Sequence, residues 1–163
     1  MKAVLISIQP KWCELIAKGK KTVEVRKTRP NLQTPFKCYI YCTKHPKGLI
    51  TVNRQNERCN CKVIGEFVCD KIFDICIEIS KPEDMPGYPF PGTGLTDKEI
   101  LQYLGNGKAG CGWHISDLVI YEKPKELSRF TKPYGTVIKA FDSPYIQRPP
   151  QSWCYVEELK DGR

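Results

Sequence analysis

The sequence lacks any apolar run that approaches the roughly 20 residues needed to cross a lipid bilayer. Its N-terminus also lacks the long apolar segment and the small-residue cleavage site of a secretory signal peptide. We therefore expect a cytoplasmic protein with no membrane partner. Hydrophobic residues make up 40% of the 163 residues and charged residues 27%, which is typical of a folded globular chain and argues against a disordered one.

Acidic residues are scarce in the first third of the chain. Residues 1–62 contain 14 Lys or Arg and only three Asp or Glu, whereas residues 63–163 contain 12 basic and 15 acidic residues. The formal net charge of +8 is therefore concentrated in one part of the sequence. A concentrated positive charge attracts phosphates through counterion release, which favours a polyanionic partner over a merely solvated basic surface.

The nine cysteines show no repeated pair spacing, and their number is odd, so a disulfide framework is not expected. A structural zinc site is the alternative, built from Cys59 and Cys61 with Cys38, Cys42 or His45. The spacing of Cys59 and Cys61 is C-x-C rather than the usual C-x2-C, which disfavours that site. We expect reduced thiols, no metal and no cofactor.

Periodicity predicts an α+β fold with many short strands and two or three short helices. Strands are expected over residues 3–8, 22–26, 36–42 and 153–156, with a long strand pair over 61–79 and a further strand within 113–121. A helix should begin at Pro10 and end at Gly19, and the capping box Thr96–Glu99 should open a second helix that ends at Gly105. Residues 105–112 read as a glycine-rich loop, and residues 124–127 as a short helical turn. This pattern indicates a small barrel with flanking helices.

No linker or internal repeat divides the chain, so we expect one domain over residues 1–163. Residues 43–60 and 82–95 are rich in polar residues, proline or glycine and are expected to be loop excursions. Gly65, in the centre of a predicted strand, indicates a bulge or a close approach of two backbones.

The segment most informative about function is Gly19-Lys20-Lys21-Thr22-Val23-Glu24-Val25-Arg26. Alternation places Val23 and Val25 on one face of a half-buried strand and Glu24 and Arg26 on the other, with Lys21 where the strand begins. Arginine matches a phosphate or base edge with two hydrogen bonds, and a carboxylate accepts from the exocyclic amine of cytosine. The alternative is an ordinary surface Glu–Arg pair.

Three segments of this sequence resemble the ASCH (activating-signal-cointegrator homology) family, which has a PUA-like fold. They are Ser-Ile-x-Pro followed by Gly-x-Lys-x-x-Glu-x-Arg at the N-terminus, Trp-His-Ile-Ser at residues 113–116, and Gln-Ser-Trp-Cys-Tyr-Val-Glu at residues 151–157. The last two look like segments of bacterial and phage-type members. The resemblance implies a small β-barrel with a cleft beside the first helix, and RNA as the ligand class.

Some members of the family resemble N4-acetylcytidine amidohydrolases or are ribonucleases, so the resemblance leaves two hypotheses. In the amidohydrolases the motif lysine is catalytic, and a threonine stands where this chain has Glu24. We therefore expect a binding module for RNA, a nucleotide or a nucleoside, or else a hydrolase on the same ligand class in which Lys21 and Glu24 are catalytic. The expected ligand-binding residues are Gln9, Lys11, Lys21, Glu24, Arg26 and Trp113.

Two of the three tryptophans were weighed as platforms for a stacked base. Trp12 falls on the apolar face of the first helix with Leu15 and Ile16, which favours a core position. Trp113 follows the glycine-rich segment and is the better stacking candidate. His114 points away from Trp113 in a strand and is expected to be a hydrogen-bonded structural residue.

Overall fold

The computed structural model describes residues 1–44, 60–81, 87–136 and 142–160. Within these ranges the chain contains eight strands and two α-helices. Their order is β1 (Lys2–Ile8), α1 (Pro10–Ala17), β2 (Val23–Arg26), β3 (Phe36–Cys42), β4 (Lys62–Cys69), β5 (Ile72–Cys76), α2 (Asp97–Leu104), β6 (Ala109–His114), β7 (Ser116–Lys125) and β8 (Trp153–Glu157). No helix in these ranges is long and apolar enough to span a membrane.

The strands form two sheets. The larger has the order β7-β4-β3-β1-β8, in which only the β1–β3 pair is parallel, and the smaller has the antiparallel order β2-β6-β5. The predicted α+β class is therefore confirmed. Among the described residues neither sheet closes on itself, so the barrel stays a prediction.

Two layers of apolar side chains cover the larger sheet, one on each face. The first layer fills the space between the two sheets and includes Ile6, Ile40 and Trp113, while the second lies on the far side with Leu5 and Tyr39. This double coverage explains why β1 is a continuous apolar run rather than an alternating one. A third cluster joins Val25 of the smaller sheet to α2.

Local signals at the two helices are confirmed. Pro10 occupies the first turn of α1, and Gly19 follows the helix with a φ of 68°, the left-handed conformation that suits glycine. At α2 the Thr96 side chain accepts from the Glu99 N–H, and the Glu99 carboxylate accepts from the Thr96 N–H. The predicted capping box therefore fixes the start of α2.

Some of the predicted boundaries are wrong. The segment 61–79 contains β4 and β5, but these strands lie in different sheets and do not pair with each other. Gly110 and Gly112 belong to β6 instead of a glycine-rich loop, and Pro124 belongs to β7, with a single 3-10 turn only at Leu127–Arg129. Of the predicted loops 43–60 and 82–95, residues 45–59 and 82–86 lie outside the described residues.

Gly65 marks a close approach of two backbones, as its place in the sequence predicts. A Cβ atom there would lie 2.4 Å from the carbonyl oxygen of Val119 in β7, and the β4–β7 register shifts at this point. We expect Gly65→Ala to lower the free energy of unfolding by about 1–3 kcal/mol, because the strands must separate to admit the methyl group. Urea denaturation measures this loss.

The clash at Gly65 is with a backbone atom, so shortening the side chain at position 119 should not relieve it. Val119→Ala in the Gly65→Ala background is therefore expected to leave the loss unchanged or to add its own small cost. A Gly65→Ala protein with the wild-type urea midpoint would contradict the close approach.

Candidate functional site

The three charged residues of the N-terminal motif lie together inside the protein. Lys21, Glu24 and Arg26 are only 2%, 6% and 7% exposed. Glu24 stands between the two cations, with its Oε2 atom 3.2 Å from Lys21 Nζ and its Oε1 atom 2.8 Å from Arg26 NH2. We call these residues the charged triad; it holds two positive charges and one negative charge away from solvent.

The sequence brings the triad together through β2 and its pairing with β6. Glu24 is the register partner of Trp113, so both side chains lie on the face of the smaller sheet that meets the larger sheet. Val25 points the other way and packs against Ile100 of α2. The expectation that this strand is half buried is therefore wrong, because the core between the sheets covers one face and α2 covers the other. An alternating pattern does not distinguish the two cases when the polar residues pair with each other.

A short segment over residues 90–95, which we call the strap, covers Lys21. The Thr93 carbonyl accepts a hydrogen bond from Lys21 Nζ at 2.5 Å, and Lys21 Nζ also donates to the Val23 carbonyl at 2.9 Å. The Gly92 carbonyl accepts from the N–H groups of Thr22 at 2.8 Å and Val23 at 2.9 Å. Lys21 is thus fixed in one position, and the prediction that it can swing to either side of the strand is wrong.

Sequence reasoning treated the strap only as part of an irregular loop. Its one distinguishing signal is Gly92-Thr93-Gly94, in which both glycines have φ values near 70°. The Thr93 side chain is fully buried, and its hydroxyl bonds to the Phe90 and Leu95 backbone. These bonds hold the Thr93 carbonyl over Lys21.

Two serines fix the other end of the triad. Arg26 NH2 donates to the Ser7 carbonyl at 2.6 Å, and Arg26 NH1 lies 3.2 Å from the Ser152 hydroxyl. Ser7 belongs to β1 of the larger sheet and Ser152 directly precedes β8, so Arg26 ties the smaller sheet to the larger one. Both serines stand in segments that carry the family resemblance, but no pattern in the sequence assigned them a role.

The triad keeps unused hydrogen-bonding capacity. Within the described residues, Glu24 Oε2 and Arg26 Nε are buried without a hydrogen-bond partner, although Oε2 faces the Lys21 ammonium as an ion pair. A buried polar atom without a partner carries a free-energy cost and is a point at which a ligand gains by binding. One acceptor and one donor are therefore available on neighbouring side chains.

Burial lowers the pKa of Lys21 from its ordinary value of 10.5, and the Glu24 carboxylate opposes this shift only in part. Between the lowered pKa and 10.5 the unfolded chain binds more protons than the folded chain, so the free energy of unfolding rises with pH in that window. We expect wild type to gain stability relative to Lys21→Met as the pH approaches 10.5. Urea denaturation at a series of alkaline pH values measures this difference.

The control for the loss of one positive charge is Lys18→Met, which removes an exposed lysine from the same region. Subtracting its pH profile isolates the contribution that comes from burial. A stability difference between wild type and Lys21→Met that stays flat or falls with pH would contradict a lowered pKa.

The other predicted ligand-binding residues are spread around the triad. Gln9 is exposed at the start of α1, and its side chain makes no capping hydrogen bond. Lys11 is exposed, with its Nζ atom 4.2 Å from the centre of the Trp12 ring, and Lys21 Nζ lies 5.4 Å from the same ring centre. Trp12 is half-buried against the core, as predicted, and it connects the exposed Lys11 to the buried Lys21.

The structure corrects the role expected of Trp113. Its side chain is 0% exposed and packs in the core between the sheets, where its ring meets Phe36 edge-on at 5.9 Å between centroids. No face of the ring is available to a base. Its position after Gly110 and Gly112 suggested a loop, but those glycines lie in β6. Trp113 therefore supports the triad from the interior and does not contact a ligand directly.

His114 has the hydrogen-bonded role that its place in the strand predicts. It points to the opposite face from Trp113, and its Nδ1 atom lies 2.7 Å from the Asp70 carboxylate. Of the residues weighed as zinc ligands, His45 and Cys59 lie outside the described residues. In the rest of the chain, no three histidine, cysteine or acidic side chains are grouped so that they could hold a metal ion.

Comparison with known proteins relates this geometry to a family. The family model described as ASCH domain matches residues 6–88, which is half of the chain and includes the triad. No curated protein matches.

Crystal structures of an ASCH protein from Zymomonas mobilis share the fold. The ASCH structure itself is 19% identical with a TM-score of 0.59, over 96% of this chain and 88% of that one. Two point mutants of that protein give TM-scores of 0.59 and 0.61 at 19% and 18% identity, over 97% and 96% of this chain and 92% and 89% of theirs. The chain belongs to the ASCH domain family.

Proposed function

We propose that this ASCH protein binds RNA or a nucleotide in a basic cleft built around the Gly-x-Lys-x-x-Glu-x-Arg motif. The observation that carries the proposal is the charged triad, whose Glu24 Oε2 and Arg26 Nε atoms are buried without hydrogen bonds among the described residues. A nucleobase edge presents donors and acceptors side by side and can use both atoms. A core salt bridge evolved only for stability gains nothing from leaving them unused.

The surroundings of the triad suit a phosphate backbone. Lys11 and Gln9 are exposed at the start of α1, and the half-buried Trp12 ring lies between Lys11 and Lys21. The strong positive charge of residues 1–62 adds a field that attracts polyanions. A base can reach the triad only when the strap moves, because the strap carbonyls cover Lys21. Phosphates can bind the exposed rim without this movement.

The test is calorimetric titration of short RNA, short DNA, cytidine and N4-acetylcytidine at two salt concentrations. Affinity for the oligonucleotides should fall steeply with salt, by a logarithmic slope of about 0.7 for each phosphate contacted on a single strand. Lys11→Gln should weaken binding and reduce that slope, while Lys123→Gln, an exposed lysine on β7, is the matched control. Absence of binding, or binding that ignores salt, would contradict the proposal.

A second candidate is a hydrolase on the same ligand class, favoured by the lowered pKa of Lys21 beside a carboxylate. A lysine with a lowered pKa can accept a proton near neutral pH. In this mechanism Glu24 orients a water molecule, Lys21 takes its proton, and Arg26 holds the substrate. Attack on the acyl carbon of N4-acetylcytidine then breaks the C–N bond and gives cytidine and acetate. A ribonuclease reaction is the other form of this candidate.

Mass spectrometry of the same mixtures separates the two candidates. A hydrolase should release product with wild type and Lys18→Met but not with Lys21→Met, while long RNA still binds Lys21→Met. Product that persists in Lys21→Met would exclude Lys21 as the catalytic base. Thermal unfolding of each variant shows whether the protein is folded under assay conditions.

Three broader predictions stay with this proposal. We propose that residues 1–163 act as a single ASCH unit and that the two sheets form parts of a PUA-like barrel. The cytoplasm is the proposed location, supported by the free thiols of all eight cysteines in the described residues. Limited proteolysis tests the single unit, because two independent domains would separate into stable fragments.

A further inference from the structure

An open cavity of about 460 Å³ lies at the far end of β1 from the charged triad. Lys2 begins β1 and lines the cavity, whereas Ser7, which binds Arg26, is five residues further along the same strand. At the usual rise of a strand this separates the two places by about 17 Å. The volume is in the range that holds a small ligand, and the two sites share no residue.

One wall of the cavity is a tight turn that presents an aromatic ring. The Thr136 N–H donates to the Pro133 carbonyl at 3.0 Å, and Gly135 has a φ of 81°, as the third position of a type II turn requires. Tyr134 occupies the second position, and its N–H donates to Glu157 Oε1 at 2.5 Å. The Tyr134 side chain is nevertheless 98% exposed, so its backbone is fixed and its ring is free.

The opposite wall holds a second aromatic ring that is already ordered. Lys2 Nζ lies 5.0 Å from the centre of the Tyr155 ring, and the Trp153 ring meets Tyr155 edge-on at 5.3 Å. The Tyr155 hydroxyl accepts a hydrogen bond from the Asn31 N–H at 2.8 Å. A ring held on three sides contributes contact area to a ligand at little further cost in conformational entropy.

The charge of the cavity lining is positive. Lys2 and Lys132 contribute ammonium groups, and no carboxylate belongs to the lining. Glu157, just outside, is occupied by the Tyr134 N–H and by the N-terminal ammonium group at 3.3 Å. Burial raises the pKa of the Cys154 thiol to about 11, so Cys154 is uncharged at neutral pH. Anions are therefore favoured here, and aromatic ligands have a ring to stack on.

We propose that this cavity binds a nucleoside phosphate, with the phosphate between Lys2 and Lys132 and the base against Tyr134. Lysines bind phosphate as compact charges, and tyrosine stacks on any base, so both parts of the ligand have a partner. A free nucleotide and one unit of an RNA strand present the same chemistry. The proposal does not rest on the triad, because the two sites are separate along β1.

The test is a titration of the 15N-labelled protein with adenosine 5′-monophosphate, adenosine and a ten-nucleotide RNA, followed by amide chemical shifts. The monophosphate should shift the amides of residues 132–136 and 154–155 more strongly than adenosine does. Tyr134→Ala should weaken this binding about 5- to 150-fold, the range expected for loss of one stacked base. Lys2→Gln with Lys132→Gln should weaken it and remove the preference for the phosphate.

Matched controls are Tyr88→Ala, which removes another exposed tyrosine, and Lys123→Gln, an exposed lysine on β7; neither should change the affinity. Shifts with the monophosphate support a free-nucleotide site, and shifts with RNA alone support a strand-binding site. Amides of residues 132–136 and 154–155 that stay unmoved by all three ligands would overturn the proposal. Shifts near Lys21 report on the triad separately, so either site can fail without the other.

Discussion

Glu24→Gln is expected to lower the free energy of unfolding by about 3–5 kcal/mol, the usual cost of breaking a buried ion pair by removing one partner. Glu24 carries the only negative charge of the triad, and its two oxygens face Lys21 and Arg26. In the glutamine variant one of these cations faces an amide N–H group. Both positive charges then stay buried with no counter-charge, and solvent does not screen them because all three residues are under 10% exposed.

The matched control for Glu24→Gln is Glu14→Gln on α1. Glu14 also pairs with a lysine, Lys18, but the side chains of this pair are 43% and 55% exposed. A surface pair of this kind contributes about 0–1 kcal/mol, so the control should move the urea midpoint little. Equal losses in the two variants would show that the triad is as well hydrated as the surface pair.

The two cations of the triad should behave differently from Glu24. Lys21→Met leaves the neutral Glu24–Arg26 pair, so it should cost less than Glu24→Gln. Arg26→Met also leaves a neutral pair, but it strips the Ser7 carbonyl and the Ser152 hydroxyl of their donor. We therefore expect the losses to increase in the order Lys21→Met, Arg26→Met, Glu24→Gln. A largest loss in Lys21→Met would contradict the central role of Glu24.

Local chemistry explains which parts of the fold were predictable. The bounds of β3 follow from an apolar run of strand length, and those of α1 and α2 follow from Pro10, Gly19 and the Thr96–Glu99 box. Each of these signals acts within a few residues, so it is visible in the sequence. The gathering of Lys21, Glu24 and Arg26 was predictable for the same reason, since alternation on one strand sets it.

Contacts between distant segments explain what was not predictable. Thr93 is 72 residues from the lysine that it covers, and Ser152 is 126 residues from Arg26. No periodicity encodes such pairs, because a threonine or serine in a loop reads the same with or without a distant partner. The separation of β4 and β5 into two sheets has the same cause. Two neighbouring strands in the sequence do not reveal which sheet each one joins.

The burial of Trp113 leads to the second large effect, a loss of about 3–5 kcal/mol in the free energy of unfolding for Trp113→Ala. The indole fills the space between the two sheets, contacts Phe36 and Trp153, and donates its Nε1–H to Cys111 Sγ at 3.3 Å. Alanine leaves a cavity that the two sheets cannot close without moving. Trp12→Ala removes a half-buried ring of the same type, so its loss should be smaller.

A milder variant separates a core role of Trp113 from a ligand contact. Trp113→Leu keeps an apolar side chain between the sheets and should stay folded at low temperature, where RNA affinity can be measured. Because the ring is fully buried, we expect the affinity of the folded protein to equal that of wild type. Loss of affinity in a folded Trp113→Leu protein would mean that the ring becomes exposed when ligand binds. The strap and the triad would then have to move together, since Trp113 and Glu24 are register partners on neighbouring strands.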